Sequence, residues 1–314
     1  MSQKILLLIE KMLLPAEIEQ LEEDFRLIFL WKERDPEATI LENASDILAI
    51  ISSLRPVRRT MIEALPNLEI IANCAVGFDN IDMRAAKERG VAVTNTPDVL
   101  TDDTADVGFL LMLDVARRAV EGDAYVRAGL WKNGPLPLGV SLSGKRVGIV
   151  GLGRIGRALA RRAEGFAMDI VYHGPREKTD VSYRYYADLK EMAGDVDFLV
   201  LTCPGGASTH HMIDYEVLCS LGDKSFLVNI ARGSVVVQDD LLMALSNEMI
   251  AGAGLDVYDS EPDVPRELFS MDNVVLTPHI GSATFETRTK MGQIVVDNVR
   301  AHFEGLPLLT PVGI

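Results

Sequence analysis

The chain has 314 residues, enough for two domains with separate cores, and its 48% hydrophobic and 25% charged content marks a folded globular protein rather than a disordered one. A formal net charge of -15 excludes a general binder of nucleic acid or of anionic membrane, because phosphates would be repelled over most of the surface. Three cysteines without C-x-x-C spacing give neither a disulfide framework nor a metal site, and they suit the reducing cytoplasm.

From the start, apolar runs of strand length at residues 5–9, 27–30, 47–51, 70–72 and 91–94 alternate with charged helical stretches at 17–24, 58–63 and 83–89. This alternation predicts a small α/β domain whose parallel sheet is covered on both faces. The first run is too short to span a membrane, is followed by Glu10 and has no small-residue cleavage pattern after it. Thr96-Pro97-Asp98 ends the alternation. A long helix is expected from Thr101, whose hydroxyl suits a cap while Asp102 and Asp103 suit the positive helix end. Its run Phe109-Leu110-Leu111-Met112-Leu113 is apolar on every face, which predicts burial all round, between domains or between subunits. Residues 131–139, with Pro135 and Pro137, read as a rigid loop in which Trp131 either reaches a neighbouring subunit or packs under the loop.

Residues 146–156 read RVGIVGLGRIG: an apolar strand, then Gly151-Leu152-Gly153-Arg154-Ile155-Gly156, then a helical segment. Gly151 allows a tight turn, Gly153 lets the backbone approach a pyrophosphate, and Gly156 lets the helix pack closely on its strand. The N–H groups of the helix start face the anion. Further strand-like runs at 169–172, 198–201, 226–229, 254–257 and 274–276 bring the count to six, the number of a dinucleotide-binding sheet. A last helix at 285–303 places Met291, Ile294, Val295 and Val299 on one face, and the tail Leu306-Pro307-Leu308-Leu309 returns to cover the first domain. The expected division is therefore a discontinuous domain of residues 1–100 plus 286–314 and a nucleotide-binding domain of 101–285.

The second strand of the nucleotide domain ends at Tyr172-His173, where an NAD site commonly carries a carboxylate for the ribose hydroxyls. The residues here are His173, Gly174, Pro175, Arg176, Glu177 and Lys178. Arg176 and Lys178 suit a 2′-phosphate, which favours NADPH, while Glu177 leaves NADH open. The adjacent His210 and His211 lack ligand spacing and read as loop or surface residues. Three later stretches each follow a strand: Asn229-Ile230-Ala231-Arg232-Gly233, Asp256-Val257-Tyr258-Asp259-Ser260-Glu261-Pro262 and Thr277-Pro278-His279-Ile280-Gly281-Ser282. Strand carboxyl ends are where ligands bind in such sheets.

With GLGRIG, NIARG, the Glu of DVYDSEP and PHIGSAT in order, the sequence resembles the D-isomer-specific 2-hydroxyacid dehydrogenase family over essentially the whole chain. NCAVGFDNID, GVAVTNTPDVLTDDTAD, AGAGLDVYDSEPDVP, MDNVVLTPHIGSAT and PLLTPV look most like its hydroxypyruvate, glyoxylate and hydroxyphenylpyruvate reductase branch. The resemblance implies two Rossmann-like α/β domains with doubly wound parallel sheets around an interdomain cleft, in a homodimer. It implies NAD(P)H-dependent reduction of a small anionic 2-keto acid, hydroxypyruvate or glyoxylate, to a D-2-hydroxy acid, with the residues at 173–178 favouring NADPH.

Arg232 would pair with the substrate carboxylate and polarise the ketone, since a guanidinium offers several donors in a fixed fork. His279 would protonate the ketone oxygen, and Glu261 would bond His279 and favour its charged form. The N–H groups of Val76 and Gly77 would hold the substrate carboxylate, the alternative being a plain strand-end turn. Cofactor contacts would also come from Cys203, Pro204, Ile230, Ala231, Asp256 and Gly281. Asp256 would bond the nicotinamide amide, the alternative being a loop cap. Two other readings stay open: another dehydrogenase of this fold, such as a hydroxyphenylpyruvate reductase or a phosphoglycerate dehydrogenase-like enzyme, and a non-catalytic nucleotide-sensing protein. Formate oxidation is disfavoured, because Glu261 stands where that branch has Gln.

Overall fold

A computed structural model describes residues 4–313. The chain divides into two compact units, Met1–Leu100 with Ala283–Ile314, and Thr101–Ser282. The second junction lies just ahead of residue 286.

The first unit holds strands β1 (Ile5–Leu8), β2 (Arg26–Phe29), β3 (Ile47–Ser52), β4 (Ile70–Asn73) and β5 (Ala92–Thr94). They form one parallel sheet in the order β2-β1-β3-β4-β5. Every residue of β1 and β4 is buried, because helices cover both faces and leave no solvent side on which polar residues alternate. The helix Phe285–Glu304 belongs to this unit and is capped by Thr284, whose hydroxyl accepts the Thr287 N–H at 3.2 Å. The fully buried Asn298 accepts the N–H groups of Leu309 and Thr310, which ties the tail to this helix. The tail then bonds the edge of β5, Val312 N–H to Val93 carbonyl at 2.8 Å, with an antiparallel bridge between Thr94 and Pro311. The same helix crosses the helix Pro15–Glu22 so closely that a Cβ at Gly292 would stand 2.8 Å from Glu17 Cγ. Glu17 is only 2% exposed, and its Oε2 has no hydrogen-bond partner among the described residues.

The second unit holds β6 (Arg146–Val150), β7 (Asp169–His173), β8 (Arg184–Tyr186), β9 (Phe198–Leu201), β10 (Phe226–Asn229), β11 (Gly252–Leu255) and β12 (Val274–Leu276). Their order is β12-β11-β10-β9-β6-β7-β8, all parallel. Strand order reverses between β6 and β9, so the loops after these two strands diverge and open a crevice at the carboxyl edge. The sheet has seven strands instead of six. The extra one, β8, reads Arg-Tyr-Tyr, too short and too polar at its start to show as an apolar run, and it is held by pairing with β7. Strand β11 starts at Gly252, ahead of the run at 254, because the two glycines let other chain segments lie against it. A Cβ at Gly252 would meet the Asn273 carbonyl at 2.3 Å, and one at Gly254 would meet Leu111 Cβ at 2.9 Å.

The helix Thr101–Arg117 buries Ala105, Gly108, Phe109, Met112 and Ala116 against the second unit. At Gly108 a Cβ would stand 2.7 Å from Ile230 Cδ1 and 2.8 Å from Leu159 Cδ1. Within the single chain one stripe of it stays open, the stripe that burial between subunits would cover. Leu110 is 50% exposed and Asp106 lies on the same open side, since a helix laid on a sheet covers one stripe only. The stretch expected as a rigid loop opens with a short 3-10 helix, Leu130–Asn133, and Trp131 in it is 69% exposed.

Candidate active site

The three glycines after β6 each answer to a different constraint. Gly151 has φ +96° and leaves no room for a side chain, since a Cβ would be 2.7 Å from Cys203 Cα. Gly156 is closed by backbone, a Cβ there meeting the Gly151 carbonyl at 2.5 Å and Thr202 Oγ1 at 2.9 Å. Gly153 has nothing within 4 Å of a built Cβ, and it precedes the helix Arg154–Gly165, whose N-terminus has no side-chain cap. An open backbone surface beside uncapped helix N–H groups fits the pyrophosphate of a dinucleotide. Leu152 is buried, Ile155 half-buried and Arg154 exposed. The turn is braced by the Gly151 N–H to the His173 carbonyl at 2.9 Å and by Thr202 Oγ1 to the Gly151 carbonyl at 2.7 Å.

At the end of β7, His173 Nδ1 lies 3.0 Å from the Tyr186 carbonyl, and the Gly174 carbonyl accepts Tyr185 OH at 3.0 Å. Arg176 is exposed on the loop that follows, anchored where Tyr172 OH accepts the Lys178 N–H at 2.6 Å. Cys203 is 7% exposed and burial pushes its thiol up to about 11, so it is a neutral packing group beside Gly151 and not a nucleophile. Pro204 follows it at the surface, while Ile230 and Ala231 are buried, leaving mainly their backbone to a ligand.

After β10, β11 and β12 the three reactive side chains come together. His279 Nδ1 is 2.7 Å from Glu261 Oε2, and Glu261 Oε1 accepts the Tyr258 N–H at 2.9 Å. Burial alone would raise the Glu261 pKa. The His279 hydrogen bond and charge, the Tyr258 N–H and the Arg232 charge together hold it below the usual carboxylate value. Arg232 is half-buried and extended, with Nη1 donating to the Ala231 carbonyl at 2.7 Å. His279 itself has φ +53°, a left-handed conformation that is costly for a residue with a side chain.

Asp256 is what holds that strained turn. Its carboxylate accepts Thr277 Oγ1 at 2.7 Å, the Ile280 N–H at 2.8 Å and the Gly281 N–H at 2.9 Å, while its carbonyl accepts the His279 N–H at 2.9 Å. Burial raises the Asp256 pKa despite these bonds. The structure thus gives Asp256 a bracing position, and Thr104 Oγ1 ties the same turn to the long helix through the Gly281 carbonyl at 2.9 Å.

In the first unit, Val76 and Gly77 follow β4 and are half-buried. Their carbonyls accept Asn95 Nδ2 at 2.8 Å and Asn73 Nδ2 at 2.7 Å, which fixes the orientation of both peptide planes.

A family model described as the NAD-binding domain of D-isomer-specific 2-hydroxyacid dehydrogenases matches residues 109–281. Glyoxylate/hydroxypyruvate reductase A of Arabidopsis thaliana is 45% identical over 294 residues, 93% of this chain and 94% of that protein. The chain belongs to the D-isomer-specific 2-hydroxyacid dehydrogenase family.

Other members of this dehydrogenase family are as similar. Hydroxyphenylpyruvate reductase of Plectranthus scutellarioides is 46% identical over 295 residues, covering 94% of each chain. Among solved structures, the NADPH-dependent glyoxylate/hydroxypyruvate reductase of Sinorhizobium meliloti, in complex with NADP and malonate, superposes with a TM-score of 0.90 at 40% identity, over 99% of this chain and 97% of that one.

Several supporting residues of the dehydrogenase escaped the sequence reading. Asn229 bridges the Arg232 turn, accepting the Ala231 N–H at 3.0 Å and donating to the Arg232 carbonyl at 2.9 Å. Gly233 lies so close to the next loop that a Cβ would be 1.9 Å from the Tyr258 carbonyl carbon, which presses the Arg232 and Glu261 loops together. Tyr258 OH donates to the Thr277 carbonyl at 3.0 Å, and burial pushes its pKa up to about 12, so it stays a neutral donor. The Arg-Gly and Asp-Val-Tyr strings were visible signals, but their partners were not. His210 and His211 are exposed, with rings 3.8 Å apart. Among the described residues no group of three His, Cys, Asp or Glu is placed to hold a metal ion, and no helix is long and apolar enough to cross a membrane.

Proposed function

We propose that this chain is an NADPH-preferring reductase of small 2-keto acids, with hydroxypyruvate and glyoxylate as first substrates and D-2-hydroxy acids as products. The observation that carries the reading is the 2.7 Å pair of His279 Nδ1 and Glu261 Oε2, held at the same sheet edge as the Arg232 turn and the glycine turn. The reduced nicotinamide, when bound, would supply the hydride. With Nδ1 directed to the carboxylate, Nε2 is the ring nitrogen that gives its proton to the ketone oxygen, and the product gains one hydride and one proton. Arg232 binds the substrate carboxylate and draws charge from the carbonyl, and in the first unit Val76 and Gly77 offer N–H groups suited to a carboxylate. Further cofactor contacts come from Cys203, Pro204, Ile230, Ala231, Asp256 and Gly281, with Asp256 facing the nicotinamide amide.

The preference for NADPH is supported by His173 at the end of β7, where a ribose-binding carboxylate would otherwise stand, and by the exposed Arg176. A homodimer is supported by an apolar groove on the second unit lined by Phe109, Leu110, Leu113 and Phe166 beside Arg161 and Arg162, with Leu110 and Phe166 open to solvent. Three free cysteines suit a cytoplasmic location.

The test follows oxidation of NADPH and of NADH with hydroxypyruvate, glyoxylate, pyruvate and 4-hydroxyphenylpyruvate, with His279→Ala as the control. Fast NADPH-dependent turnover that vanishes in the control is expected. Cofactor binding without turnover on any keto acid would shift the reading to a nucleotide-sensing protein.

A further inference from the structure

Among the described residues, the first unit keeps a half-buried cation without an ion pair. Arg288 is the fourth residue of the helix Phe285–Glu304, close to the positive end of the helix dipole, where a cation is disfavoured. It is half-buried, and burial holds its pKa below the ordinary guanidinium value. Its Nη1 donates to Met12 Sδ at 3.4 Å, and a thioether is a weak acceptor for a charged donor. Among the described residues it makes no ion pair. Glu10 and the Cys74 thiol are the acidic groups whose charge reaches it. Glu10 is otherwise engaged: its Oε1 accepts the N–H groups of Ser53, Leu54 and Arg55 at 2.7, 2.7 and 3.0 Å. Cys74 is 1% exposed, and burial pushes its thiol up to about 12, so it brings no negative charge at neutral pH.

Each of these neighbours follows a strand. Met12 and Glu10 come after β1, Ser53 to Arg55 after β3, and Cys74 directly after β4, two residues before Val76. The guanidinium therefore belongs to the carboxyl edge of the five-stranded sheet, the edge at which parallel sheets bind ligands. A partly dehydrated guanidinium with five donors and one weak acceptor is best satisfied by a small oxyanion, which accepts two parallel N–H bonds. A net charge of -15 repels anions at long range, so a carboxylate substrate depends on local cations of this kind.

We propose that Arg288 is a substrate-binding residue of the first unit that holds the carboxylate of the 2-keto acid together with the Val76 and Gly77 amides. The proposal rests on the reductase reading above. It gives Arg288 a role in affinity and none in proton or hydride transfer.

The test compares wild type, Arg288→Met and Arg288→Lys. Met keeps an unbranched apolar stem and removes the charge and the donors, and Lys keeps the charge without the fork. Expected for Arg288→Met are a KM for glyoxylate raised about tenfold, corresponding to about 1.4 kcal/mol, and a kcat within about twofold of wild type. Arg288→Lys should recover most of the KM. Calorimetric titration with oxalate, a non-reducible dicarboxylate probe, should show the same ranking, with NADPH affinity and Tm equal in all three proteins. An unchanged KM in Arg288→Met, or a loss of kcat and Tm that Lys does not repair, overturns the proposal and leaves the reductase reading standing. If wild type reduces no keto acid, the reductase reading fails separately. The oxalate titration still decides Arg288, because equal or absent binding in wild type and Arg288→Met also overturns it.

Discussion

Two alanine substitutions three residues apart separate the cofactor role of the glycine turn from its role in the fold. At Gly153 a Cβ meets nothing within 4 Å and the backbone is extended, with φ −85° and ψ −157°, so Gly153→Ala should leave the free protein intact. At Gly156 the same methyl lies 2.5 Å from the Gly151 carbonyl and 3.1 Å from Ile149 Cγ2, and a backbone oxygen inside a parallel sheet turn has nowhere to go. Overpacking of this kind costs about 1–3 kcal/mol, which for a unit of this size lowers Tm by about 2–12 °C. The expected pattern is a Gly153→Ala protein with wild-type Tm and NADPH affinity weakened about tenfold or more, because the methyl stands where the pyrophosphate must approach the N–H groups. Gly156→Ala should lose both Tm and cofactor affinity. Differential scanning fluorimetry without ligand and a fluorescence titration with NADPH read the two effects independently. Wild-type NADPH affinity in Gly153→Ala would refute the placement of the pyrophosphate at this turn, and an unchanged Tm in Gly156→Ala would refute the packing argument.

Other consequences follow from single groups. Glu261 has a depressed pKa, so the stability it contributes is present above the usual carboxylate range and is lost as pH falls through its lowered value. Wild type should exceed Glu261→Gln in Tm at neutral pH, the gap closing on acidification; a gap that stays constant to low pH means the carboxylate charge is not what stabilises the loop. Glu17→Met should raise stability by about 1–3 kcal/mol in urea unfolding, because it replaces a 2%-exposed carboxylate with an unpartnered oxygen by an unbranched apolar side chain that still fits against Gly292. Lower stability in that variant would show that the oxygen has a partner in solution. Arg176→Ala should weaken NADPH about tenfold more than NADH in direct binding, and equal loss for both cofactors would remove Arg176 from the 2′-phosphate site. Asp256→Asn should lower kcat more than NADPH affinity, since the amide cannot accept all three bonds that hold the left-handed His279 turn; the reverse split would return Asp256 to cofactor binding.

Local pattern determined a good deal of this protein. Continuous apolar runs announced the parallel strands, since a strand covered on both faces has no polar alternation. Gly-Leu-Gly-Arg-Ile-Gly between a strand and a helix announced the nucleotide turn, because close backbone approach demands glycine whatever lies around it. Arg232, Glu261 and His279 stood out for the same kind of reason, each a reactive side chain directly after a strand. The rest depended on partners far away in the sequence. Strand β8 exists because β7 offers it an edge, and Leu110 is exposed because helix Thr101–Arg117 turns its other stripe to the sheet. Asp256 stood out after its strand, but the bonds of its oxygens to Thr277, Ile280 and Gly281 exist only in the folded chain. Glu17 and Arg288 look like ordinary surface charges in a charged helix. Among the described residues, only the folded chain buries one with an oxygen that has no hydrogen-bond partner and leaves the other without an ion pair, because burial and neutralisation are properties of what packs against a side chain and not of the side chain itself.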